Sequence, residues 1–374
     1  MKLDRRAPSA TLITLSLAAT LALAGCATNE PSANAGGDDT STNTSLSGTL
    51  AAGGASSQEA AVKAWTAGFQ TEHTDVTINY DPAGSGAGRE SFQAGAFALA
   101  GSDRAFKPKE LTEGPFSGCA EGSGIIELPT YISPIAVVFN IEGVDSLNLD
   151  AATIAGLFAG TITKWNDPAI AALNEGVTLP DLPVAAVHRA DDSGTTENFT
   201  DYLAVTAPEA WTWEADGNWP LDSGEAAQGT SGVIAAVKAG NGAIGYADAS
   251  RAAEDGLNSA AIAVGNEFVP FSPEAAAAVA DASPFEDGRA EGDLAIQLQR
   301  DSTESGVYPI VLISYMIACQ EYTDPKVASL VKPFLSYVAS AEGQAAAQDA
   351  AGNAPISDAL RDKVNAAIDL IDAP

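Results

Sequence analysis

Histidine and positive charge are scarce in this chain. Of 374 residues two are histidines, His73 and His188, and 18 lysines and arginines stand against 49 aspartates and glutamates, a formal net charge of −31 at pH 7. Two histidines and few cysteines give a zinc site little support, and no metal or other cofactor is expected. A nucleic-acid partner is excluded too, because a phosphate backbone is met by clustered lysine and arginine. No Gly-Lys dipeptide occurs, which removes the P-loop signature, and no Gly-x-Ser-x-Gly elbow marks a hydrolase nucleophile. No run reaches the roughly 20 apolar residues of an ordinary membrane-spanning helix.

What the chain does have is an ordinary share of core-forming residues, 46% hydrophobic with 7% aromatic. At this length that suffices for two lobes rather than one. The acidity reads first as a solvated, soluble surface. The N-terminus reads as an export signal over residues 1–25: Lys2, Arg5 and Arg6 precede the short apolar run TLITLSLAATLALAG. It ends in Leu23-Ala24-Gly25-Cys26, which resembles the lipobox of bacterial lipoproteins, where the cysteine carries the lipid. A plain secretory signal with a chance cysteine is the other reading. Residues 26–45 are rich in Ser, Thr, Asn, Gly and Asp, a composition expected of a flexible tether. With Cys26 lipidated, Cys119 and Cys319 remain, either as a disulfide of an exported protein or as two separate buried thiols.

Beyond the tether the chain alternates. The β-rich runs DVTINY, GIIELPTY, PIAVVFN, LPVAAVH, GAIGYA and YPIVLISYMIA are interleaved with helical patterns such as SSQEAAVKAWTAGFQ, TENFTDYLAV and GVIAAVKAG. This predicts an α/β fold around a mostly parallel sheet. From Asp324 onward the pattern is helical, with Val327, Leu330, Val331, Phe334, Leu335 and Val338 at spacings of three and four.

Three strand-to-helix turns are rich in glycine and hydroxyl groups. In HRADDSGTTE, Ser193 is placed to cap the helix that begins with Gly194, Thr195 and Thr196, whose unpaired N–H groups make an anion site. Arg189 adds a planar fork of donors, or else pairs with a neighbour such as Asp191. DPAGSGAGRESF offers Ser85 among glycines, and AAGGASSQEAA offers Ser56 and Ser57 at another helix start. The G-x-G-x-G spacing of DPAGSGAGRESF only mimics a dinucleotide fingerprint. Asp103, in LAGSDRAF, either is a surface residue beside Arg104 or faces an oxyanion that carries a proton for it to accept.

The ordered set of lipobox, GGASS, GSGAG, AGSD, LFAGTITKWND, HRADDSGTT and GAIGY resembles the phosphate-binding protein family of the bacterial high-affinity phosphate ABC transporter, from about Leu46 to the end. The resemblance implies an α/β, two-lobed type II periplasmic-binding-protein fold with two crossover strands. It puts one lobe at 46–131 plus 305–374 and the other at 132–304. It implies capture of inorganic phosphate between the lobes, without catalysis, and delivery to the membrane permease subunits of the transporter. Carried over residue by residue, it puts Ser56, Ser57, Ser85, Asp103, Arg189, Ser193, Gly194 and Thr195 on phosphate, with Asp103 accepting the ligand's proton. Two departures concern single loops: Asp192 stands where the family often has glycine, and Ser56-Ser57 where it often has Thr-Phe. The expected protein is monomeric, exported, and anchored to the outer face of the cytoplasmic membrane through Cys26. Sulfate or molybdate would be the nearest alternative ligand, but neither supplies the proton Asp103 calls for. A hydrolase built on His188, Asp191 and Ser193 is the rival from another class, with its three groups crowded into one loop.

Overall fold

The longest strand among the described residues joins the two halves of the fold. Among the described residues, 46–373 of a computed structural model, eleven strands run in chain order as β1 (Ser47–Gly54), β2 (Asp75–Asp81), β3 (Leu99–Ser102), β4 (Ile125–Asn140), β5 (Leu147–Leu149), β6 (Ala185–Arg189), β7 (Glu225–Ala227), β8 (Ala243–Asp248), β9 (Asn258–Val264), β10 (Glu267–Val269) and β11 (Val311–Cys319). The signal segment 1–25, Cys26 and the tether 26–45 lie outside the described residues. Hydrogen bonding orders the strands β2-β1-β3-β11-β4-β8-β6-β7, with β9 beside β4 and joined by β5 and β10.

GIIELPTY and PIAVVFN, expected as two strands, are one. All but the last of the sixteen residues of β4 are buried, which explains its nearly unbroken apolar sequence. Two prolines sit inside it, and each falls where the ladder is irregular. Pro129 pairs with Tyr315 next to a register shift at Ser314/Tyr315, and Pro134 is the last residue paired with β11. One residue later, at Ile135, β4 exchanges β11 for β8. The chain crosses between the halves a second time just before β11, where Ile135 N–H donates to Ile310 O at 2.7 Å.

The sheet is mixed rather than mostly parallel. β1 pairs in parallel with β2 and β3, and β6 with β7 and β8, but β11 is antiparallel to both β3 and β4, and β4 to β8. The sequence pattern could not show this, because β4 and β11 are long apolar runs whose partners are set by the chain's return from a remote segment.

Helices cover the faces. The helix Gly194–Thr206 buries Phe199, Tyr202 and Leu203 on one side, as their spacing predicts, and Ser193 Oγ accepts from Thr196 N–H at 3.2 Å to cap it. The C-terminal region forms helices Pro325–Ala339, Ala341–Ala351 and Asp358–Asp369. Cys119 and Cys319 are joined by a disulfide, their Cα atoms 5.3 Å apart and 200 residues apart in sequence. No helix among the described residues is long and apolar enough to cross a membrane.

Candidate functional site

Four strands end at one place, and a helix begins after each. β1 leads through Ser56 and Ser57 into the helix Glu59–Glu72, β2 through Gly84 into Ser85–Gln93, β6 through Ser193 into Gly194–Thr206, and β7 through Gln228 into Gly229–Ala239. β3 delivers Asp103 one residue past its end. Ligands of α/β proteins gather at such carboxyl ends of strands, because helix-start N–H groups point there without intrahelical partners.

Asp103 is the centre of this junction. It is 3% exposed. Ser57 Oγ donates to its Oδ1 at 2.5 Å and Thr195 Oγ1 to its Oδ2 at 2.9 Å, while its own N–H donates to Ser85 Oγ at 3.1 Å. Burial pushes the Asp103 carboxyl above the usual aspartate range, opposed by the hydroxyls of Ser57, Ser314 and Thr195 and by the charge of Arg189. The surface reading of Asp103 is thereby excluded. Gly194 explains how the two halves approach so closely: a Cβ there would lie 2.5 Å from Asp103 Cβ and 2.7 Å from Ser85 Oγ.

Arg189 is buried and paired. Its Nε donates to Asp191 Oδ1 at 2.8 Å and its Nη2 to Asp191 Oδ2, and Asp191 Oδ1 also accepts from Gly229 N–H at 3.0 Å. The helix start at Gly229 thus holds the carboxylate that holds the arginine, leaving the Nη1 face of the fork for another acceptor. Pairing with Asp191 and readiness for an anion, weighed above as alternatives, are compatible. Ser56 Oγ lies 3.0 Å from Thr230 Oγ1 and accepts from Thr230 N–H at 3.1 Å.

The eight residues singled out in sequence therefore lie in one connected neighbourhood. Four more belong beside them. Thr230 lies in GTSGV, another glycine-hydroxyl helix start, so the signal that marked the other loops could have found it. Arg89, 3% exposed, donates through Nη1 to Ser102 Oγ at 2.8 Å beneath Asp103. Asn198 Nδ2 donates to Asp103 O at 2.7 Å and to Gly194 O at 2.9 Å. Ser314 presents a buried hydroxyl near the Asp103 carboxyl from β11. Nothing local in sequence marks these last three, since their partners are remote in the chain or hidden by packing.

The hydrolase geometry is absent. The His188 ring stacks on Trp219 at 5.0 Å between centroids, and its Nδ1 donates to Arg189 O at 2.9 Å. Ser193 Oγ is engaged as the helix cap, so no base is aimed at it.

Hydroxyl groups and helix starts gathered around the buried Asp103 carboxylate, with Arg189 paired beside it, form a site suited to an oxyanion. Residues 39–342 match the model of the PBP superfamily domain. The chain is 36% identical over 328 residues to phosphate-binding protein PstS 3 of Mycobacterium leprae, covering 86% of this chain and 87% of that protein. It is 34% identical over 374 residues to phosphate-binding protein PstS2 of Mycobacterium bovis, covering 98% and 99%. The crystal structure of a phosphate-binding protein from Stenotrophomonas maltophilia superposes with a TM-score of 0.65 at 20% identity, covering 86% of this chain and 94% of that one, a likeness of fold. The chain belongs to the PstS family of phosphate-binding proteins within the PBP superfamily, and its fold is the two-lobed α/β fold of that class.

Proposed function

We propose that this chain captures inorganic phosphate outside the cytoplasm and hands it to the permease subunits of an ABC transporter, performing no catalysis itself. The observation that carries the reading is Asp103: a buried carboxylate among hydroxyl and N–H donors suits an anion that brings its own proton. Ser56, Ser57, Ser85, Ser193, Gly194 and Thr195 supply neutral donors, and Arg189 supplies the free side of its fork. The lobes are 46–131 with 305–374, and 132–304; the exchange of partners along β4 between Pro134 and Ile135 supports a division near there. Closure about the two crossovers then brings Asp103 and Ser57 of one lobe against Thr195 of the other. The lipobox-like LAGC sequence supports export and anchoring of a monomer at the outer face of the membrane through Cys26.

Net charge does not oppose this. At physiological salt the Debye length is about 8 Å, so distant carboxylates are screened while the donors act at contact. Isothermal titration of the purified domain with phosphate and with sulfate tests the reading. Tight phosphate binding with no sulfate binding supports it; the reverse overturns it.

A further inference from the structure

A second set of charges crosses between the same two halves without including any residue proposed to touch the ligand. Glu197 lies one turn into the helix that starts at Gly194. Its carboxylate accepts from Arg104 Nε at 2.7 Å, and Lys107 Nζ lies 2.8 Å from it. Arg104 follows Asp103 directly in the chain and is held from behind by Glu110, through Nη1 at 2.6 Å and Nη2 at 2.9 Å. Glu197 and Arg104 are 12% and 16% exposed at their side chains. At that burial an ion pair is screened less than a surface pair, yet salt still reaches it. The cleft beside it, about 570 Å³, is lined by Asp103, Arg104, Lys107, Glu197 and Asn198.

A looser pair adjoins the same network, since Arg89 Nε lies 3.8 Å from Glu110 Oε1. Arg89 Nη2 is 3.6 Å from Asp192 Oδ1, and both Arg89 Nε and Asp192 Oδ1 are buried without hydrogen-bond partners. Asp192 is the residue that departs from the family's frequent glycine. Its carbonyl accepts from Gly86 N–H at 3.1 Å, so this loop rests directly on the Ser85 helix.

We propose that Arg104, Lys107 and Glu197, seconded by Arg89 and Asp192, form an ionic clasp that holds the two halves closed and sets how long the ligand stays. The inference rests on the phosphate-binding reading above and adds to it a dependence on ionic strength. Glu197 is a positioning residue: it draws the segment after Asp103 onto the helix that carries Gly194 and Thr195, without touching the anion.

The test is the phosphate release rate of the full chain, followed by stopped flow at low and high sodium chloride, for the wild type, Glu197→Gln and Lys107→Met. The clasp predicts release about tenfold faster for Glu197→Gln at low salt, a smaller change for Lys107→Met, and convergence of all three at high salt. A merely structural role would not produce that convergence. Sulfate remains excluded throughout, because Asp103 is intact. Equal release rates, or a wild-type rate indifferent to salt, overturn the proposal. Should the wild type bind no phosphate, the functional reading fails, and small-angle scattering of the ligand-free chain then decides the clasp by itself. An increase in radius of gyration on Glu197→Gln or added salt upholds it, and an unchanged radius overturns it.

Discussion

Ser57 donates its hydroxyl to Asp103 at 2.5 Å although 46 residues separate them, and Thr195 donates to the other carboxylate oxygen from 92 residues further on. One acidic group thus receives donors from both halves of the molecule.

Asp103→Asn replaces an acceptor by a donor while preserving shape. Sulfate then gains a hydrogen bond and phosphate loses the acceptor for its proton. The ratio of the two affinities should fall by about 5- to 150-fold, the equivalent of about 1–3 kcal/mol for a buried polar group left unmatched. Titration calorimetry with both anions measures it, and an unchanged ratio would place the discrimination elsewhere.

Asp191→Ala removes the partner that orients Arg189. The arginine keeps its charge, so attraction for an anion rises, but its fork is no longer fixed by two hydrogen bonds and by the helix start at Gly229. Losing a buried hydrogen-bonded partner costs on the order of 3–5 kcal/mol of fold stability. The expected outcome is a lower urea midpoint together with weaker discrimination among anions, read by chemical denaturation and calorimetry on the same sample.

Asp248 predicts a pH dependence of stability. It is buried at the end of β8 and accepts from Tyr131 Oη at 3.0 Å and Ser250 N–H at 3.0 Å, and burial raises its pKa from 3.8 to about 6. The folded state therefore holds this proton more tightly than the unfolded chain. The group's favourable contribution is complete below about pH 4 and is lost as pH rises through about 6, a difference of about 3 kcal/mol. Unfolding free energies from urea denaturation of the wild type and Asp248→Asn from pH 4 to 7 should diverge by that amount; parallel curves would contradict the assignment.

Cys119→Ser with Cys319→Ser opens a link between residues 200 apart. A long closed loop makes the bond's stabilisation large, so its loss should cost about 2–5 kcal/mol. Denaturation of the oxidised wild type against the double variant checks this, and phosphate affinity should change little because neither sulfur adjoins Asp103.

The sequence was most readable where chemistry is local. The cap at Ser193 with its helix face of Phe199, Tyr202 and Leu203, and the glycine-hydroxyl turns at Ser56, Ser57 and Ser85, are written within a dozen residues each. Illegible were relations made by topology. Two runs fuse into β4 because β11 and β8 take it up in succession, and the direction of β11 follows from a return path of more than a hundred residues. Arg89, Asn198 and Ser314 gained their positions in the same way. The burial of Asp103 could be argued only from the resemblance, since an aspartate beside an arginine is ordinarily solvated.

The pairing of Arg189 with Asp191 reaches beyond orientation. An arginine already answered by its neighbour presents little bare charge to the medium, which lowers the gain to chloride and other monovalent ions from approaching it. On the proposed function, the advantage then passes to a guest that offers a proton to the Asp103 carboxylate, and the surrounding electrolyte competes weakly.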